Sequence, residues 1–192
     1  HVHLLFDDDP VAARRGAERT GALARRFGLS DLELLGRALE GLVLVREGDV
    51  AGGMRRLDEA TAAAVSGEIA DLDAVATACC FMVYACEHVR DYGRANQWHG
   101  RVDALSRAFS IRDPLAGCRI QHAKLLLFTG RWPEAEALLS SPAETGAATR
   151  PANARESAAC LGELRRRQGR AAEAEKLFLE AEGLSSGSVG LA

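Results

Sequence analysis

Apolar residues recur along this chain at three- and four-residue steps, and strand signals are absent, so the pattern predicts helices throughout. Read between start and stop signals, it predicts helices over Pro10–Phe27, Asp31–Glu47, Val50–Ser66, Asp71–Val89, Tyr92–Phe109, Pro114–Phe128, Trp132–Leu139, Ala152–Gln168 and Ala171–Glu182. Leu32, Leu35, Leu39, Leu42 and Val43 form one apolar stripe and are expected to be buried together. Asp9-Pro10 and Asp113-Pro114 each place a capping carboxylate before a proline at the first helical position. Asp49, Asp71 and Asp91 stand where a cap is wanted, and Ser30…Glu33 and Asn153…Glu156 have capping-box spacing. The one long connection runs from Ser140 to Pro151.

A longer pattern lies over these helices. A turn, an Ala-rich amphipathic run and a bulky apolar residue recur four times, with turn positions Gly48, Arg90, Gly130 and Gly169 spaced by 42, 40 and 39 residues. A fixed period of this size indicates stacked helix pairs, none of which buries its apolar face alone. The expected fold is therefore all-α, a right-handed superhelix of about four stacked helix pairs. The repeat domain covers residues 1–183, and 184–192 is expected to be a flexible tail or the start of a further repeat.

Composition narrows the function without naming it. A chain of 192 residues with 47% hydrophobic content can build a core without disulfides or metal. A net charge of −3 and 5% aromatic content argue against nucleic-acid binding by this segment, which needs a clustered basic face or stacking platforms. Arg, Glu or His interrupts every apolar run, so no membrane span is expected. The five cysteines (Cys79, Cys80, Cys86, Cys118, Cys160) form no Cys-x-x-Cys pair and are expected to be reduced, buried and cytoplasmic. A start without Met or a basic leader region points to a fragment of something longer.

The fourth repeat, with Leu161-Gly162-Glu163-Leu164, Gly169, Ala174, Phe178 and Ala181, resembles a tetratricopeptide repeat, and Gly41, Leu44, Gly48, Gly53, Leu57 and Ala60 of the first match more loosely. Small residues at these positions let paired helices cross closely, and the bulky one fills the gap between them. The period of about 40 departs from the usual 34. Long helices of this kind, the stretch Cys79–Trp98, and Glu59-Ala60 through Gly67-Glu68 are similar to the repeat region of large bacterial LuxR-type regulators related to the maltose activator. That resemblance implies an interaction or sensor segment between an ATPase module and a DNA-binding helix-turn-helix. Neither neighbour has its motif here.

Candidate chemistry is sparse. Cys86, Glu87 and His88 are adjacent on one helix and point apart, and Cys79, Cys86 and His122 offer too few converging ligands for a metal centre. Gly183-Leu184-Ser185-Ser186-Gly187 matches a nucleophile-elbow string but follows a helix instead of a strand. Asp7-Asp8-Asp9 reads as a helix cap beside a solvated turn. Trp98 and Trp132 read as plugs between repeats. No catalytic, metal or cofactor residue is assigned, and no enzymatic activity is expected.

Placing the repeats in register puts Thr77, Cys80, Tyr84, Glu87, His88, Lys124, Glu163, Arg166 and Arg167 on the groove formed by the first helix of each pair. Of these, Tyr84, Glu87, His88, Lys124, Glu163, Arg166 and Arg167 are the candidate contacts to a protein or peptide partner. Arg165, Arg166, Arg167 and Arg170 also offset a helix C-terminal dipole. The expected function is partner binding by a cytoplasmic transcriptional regulator. The alternatives are a small-molecule inducer pocket between repeats and a free-standing adaptor, and apolar terminal faces make a homodimer an expected complication.

Overall fold

A computed structural model describes residues 9–66, 70–109, 116–141, 145, 147 and 150–186. The described residues hold nine helices and no strand: α1 (Pro10–Phe27), α2 (Ser30–Arg46), α3 (Val50–Val65), α4 (Leu72–His88), α5 (Tyr92–Phe109), α6 (Ala116–Phe128), α7 (Trp132–Leu139), α8 (Pro151–Arg167) and α9 (Ala171–Ser186). The ends fall within a residue or two of those the pattern predicts, except that α9 runs on through residues 184–186, which were expected to belong to a tail or to the start of a further repeat. No helix is long and apolar enough to cross a membrane among the described residues.

The chain divides into two compact units, His1–Pro114 and Leu115–Ala192. In the first, α2 packs on α1, α3 and α4, while α4 also packs on α3 and α5. In the second, α8 packs on α6, α7 and α9, and α6 on α7.

The periodic turn positions share one backbone conformation. Gly48, Gly130 and Gly169 have φ of 100°, 82° and 76°, and Arg90 joins them at 61°. A left-handed residue at this point ends one helix and lets the chain reverse into the next. The accompanying hydrogen bonds confirm the motif: the Asp91, Arg131 and Arg170 amides donate to the Cys86, Leu126 and Arg165 carbonyls at 2.8–2.9 Å. The repeat read from sequence is thus a repeat of helix-terminating turns.

At the other ends, Asp9, Asp49, Asp71 and Asp91 accept from the Ala12, Gly52, Ala74 and Arg94 amides, as their positions predict. The two capping boxes do not form. The N-cap of α2 is Leu29 and that of α8 is Arg150, neither with a side-chain cap bond. Asn153 instead donates to the Thr145 carbonyl, and Glu156 accepts from Gln121 and Lys124 of α6. Tertiary partners outcompete the local ones there. Asp113-Pro114, Asp7, Asp8, Gly67-Glu68 and Gly187 lie outside the described residues, as does half of the Ser140–Pro151 connection.

Paired helices meet through glycine. A Cβ at Gly53 of α3 would lie 2.5 Å from the Gly41 carbonyl oxygen of α2, and one at Gly162 of α8 would lie 2.7 Å from the Phe178 ring of α9. Leu57, fully buried, fills the space beside the first crossing and adds about 1.5–3 kcal/mol by leaving water. In the second unit Leu126, Leu127, Ala135 and Leu164 form a core on which Trp132 packs, its indole N–H donating to the Leu127 carbonyl at 3.2 Å. Trp98 is 9% exposed, with the Arg101 guanidinium 4.6 Å from its ring centroid, so both tryptophans are packing residues.

The cysteines divide. Cys79, Cys86 and Cys160 are buried and outside any disulfide, and burial pushes the Cys79 and Cys86 thiols up to about 11, which keeps them protonated and unreactive. Neither Cys80 nor Cys118 is a reduced thiol, so the expectation of five reduced thiols fails at these two.

Candidate binding site

Helix α4 of the first unit displays a stripe of Thr77, Phe81, Tyr84 and His88, residues three and four apart that stack on one face. The register argument names three of these four. It also names Cys80 and Glu87; Cys80 is buried at 5% exposure, as Phe81 is at 3%. Tyr84 and Glu87 are half-buried and His88 is exposed.

The Thr77 end of this stripe opens onto a cavity of about 380 Å³ lined by Thr20 and Leu23 of α1, Leu32, Leu35, Gly36 and Leu39 of α2, and Thr77 and Phe81 of α4. A Cβ at Gly36 would lie 3.0 Å from the Gly21 amide nitrogen, so α1 approaches α2 closely at that level. The predicted apolar stripe on α2 therefore splits. Leu39, Leu42 and Val43 are at most 4% exposed, whereas Leu35 is half-buried and Leu32 is 40% exposed at the cavity rim. Leu23 is likewise 42% exposed, and Phe27 and Leu29 extend the apolar surface along the α1–α2 turn. Clustered exposed side chains of this size are uncommon on a surface without a binding role.

The candidate residues of the second unit are engaged with one another. Arg166 donates to both Glu163 carboxylate oxygens at 2.7 and 2.8 Å, and Arg167 donates to one at 2.7 Å while lying 4.9 Å from the Phe128 ring centroid. Those bonds, from Arg166 first and Arg167 second, hold the Glu163 carboxyl down to about 2. Arg165 donates to Glu136 of α7 at 2.5 Å and lowers that carboxyl to about 2 as well. Lys124 reaches Glu156 at 2.5 Å, beside the buried Gln121 that donates to the same oxygen at 2.9 Å. The Arg165 and Lys124 bonds tie α8 to α7 and α6, and the Glu163 bonds lie within α8. An anionic partner would have to displace carboxylates already in place.

No three His, Cys, Asp or Glu side chains among the described residues are grouped to hold a metal ion. Ser185 of the elbow-like string lies in α9, with no strand before it among the described residues. The cavity is the feature that sequence reasoning missed. Its walls were legible as apolar helix positions, but that Leu23, Leu32 and Phe81 converge around a void depends on how three helices meet.

No family model matches the chain, and no curated protein matches it. Among solved structures it is similar to BtubC (BKLC) from P. vanneervenii, with a TM-score of 0.55 at 13% identity, over 96% of this chain and 94% of that chain. At that identity the likeness concerns the fold alone.

Proposed function

We propose that this chain is a non-enzymatic binding module, an α-solenoid of tetratricopeptide-like helix pairs, whose recognition site is the cavity between α1, α2 and α4. The observation that carries the reading is the cavity itself, apolar along most of its wall and rimmed by the exposed Leu23 and Leu32. It accepts an apolar side chain of a partner protein, and the neighbouring Phe27 and Leu29 widen the contact. A small apolar inducer is the second reading, favoured by a volume inside the range of about 300–1,000 Å³ typical of small-molecule sites. By resemblance, the module serves a cytoplasmic multidomain transcriptional regulator, and sequencing the gene outward from this segment for an ATPase and a helix-turn-helix tests that.

The neutral apolar dye Nile red tests the site. Its emission should rise on binding the native chain and fall back in the Leu23→Asp, Leu32→Asp double variant, whose substitutions sit at exposed rim positions and leave helicity intact. Equal emission with both proteins would remove the cavity from consideration. The cytoplasmic placement has its own test, because stable disulfides are rare in a reducing compartment. Five titratable thiols in denaturant without reductant, on chain purified under conditions that block oxidation, support it, and three oppose it.

A further inference from the structure

Helix α1 carries five arginines against one glutamate in a chain whose net charge is −3. At 100° per residue, Arg15, Arg19 and Arg26 fall within about 40° of one another, and Leu23 and Phe27 occupy the next arc, between the arginines and the buried Ala13, Ala17 and Ala24. A basic ridge therefore runs alongside the apolar rim of the cavity. Arg14 is engaged by Glu47, and Arg26 packs on Phe27 with its guanidinium carbon 5.3 Å from the ring centroid. Arg15 and Arg19 are exposed and meet no carboxylate among the described residues. The acids on the other walls do not answer this ridge: Glu33 and Glu40 of α2 are paired with Arg37 and Arg56, and Asp31 and Asp73 stand in the first turns of α2 and α4.

Apolar rim and adjacent basic ridge together match one kind of occupant. We infer that the cavity receives an acidic amphipathic peptide segment of another protein, its apolar side chain seated between Leu23, Leu32 and Phe81 and its carboxylates lying along Arg15 and Arg19. The inference rests on the cavity reading above and adds the sign of the partner's charge. Arginine suits the task, because its planar fork accepts a carboxylate in two parallel bonds and its stem can cover apolar surface.

Two synthetic helices of about four turns, identical in their leucines and carrying either Glu or Lys at the remaining positions, test it with the full chain. The Glu peptide should bind the native chain at least about tenfold more tightly than the Lys peptide, and less tightly as salt is raised. The Arg15→Glu, Arg19→Glu double variant, altered only at exposed positions, should reverse that preference and keep its Nile red emission. Equal binding of the two peptides to the native chain, no binding of the Glu peptide, or a preference that survives the charge reversal would overturn the inference. Failure of the cavity reading is separate, since it appears as dye emission and peptide binding unchanged by Leu23→Asp with Leu32→Asp.

Discussion

Arg90 occupies a backbone position that the other three turns of the repeat give to glycine. An L side chain at φ 61° crowds its own carbonyl, at a cost of about 1–2 kcal/mol relative to a relaxed conformation, while glycine carries no such penalty. Part of that cost returns as reduced freedom of the unfolded chain, so Arg90→Gly is expected to stabilise the protein by about 0.5–1 kcal/mol. A higher midpoint in urea at unchanged slope would show it, and a lower one would mean the guanidinium makes a contact worth more than the strain. The turns were legible in sequence because the left-handed conformation selects residue type so strongly. The aspartate caps were legible for a similar reason, since each acts on an amide two or three residues away. Ser30 and Asn153 were misread because nothing local reveals that α2 begins a residue early or that Glu156 serves α6.

At the scale of elements, the helix crossings carry the most specific expectation. Ala at position 53 would press its methyl against the Gly41 carbonyl oxygen and the Val45 amide nitrogen, backbone atoms that move only if α2 and α3 separate. Gly53→Ala should therefore cost about 1–3 kcal/mol despite its better helix propensity, read as a fall in urea midpoint. A neutral or stabilising result would mean the two helices have room to part. The glycine and large-residue pairs Gly53 with Leu57 and Gly162 with Phe178 stand at the helix crossings, and there the sequence anticipates the packing. Where a crossing leaves a void, as α1 and α2 do beside Phe81, no such spacing announces it.

Across the molecule, acid response gathers the carboxylate–arginine bonds into one observable, Glu136 to Arg165 across two helices and Glu163 to Arg166 and Arg167 within one. Glu136 and Glu163 have folded-state values of about 2, below the ordinary glutamate value near 4.3. A depressed carboxylate contributes its stability above the unfolded value and loses it as pH falls through the folded one, so thermal stability should decline from about pH 4 to about pH 2. Glu136→Gln and Glu163→Gln should each flatten that decline and cost about 0.5–1 kcal/mol at pH 7, a small figure because solvent screens both groups. A melting-temperature profile that keeps its slope in the double variant would assign the acid transition to other groups.

The number, extent and order of the helices, their turns and four of their caps were determined by the sequence alone, because each depends on apolar periodicity and on residues within a turn of one another. The surface proposed for binding was decided only by tertiary structure. Charge on α8 looks available in sequence and is already matched across α7 and α8, while Leu32 of α2 is expected to be buried and stands 40% exposed at the rim of a cavity. Both outcomes turn on which side chains meet across helices, and a one-dimensional pattern carries that information only where glycine is required for the meeting.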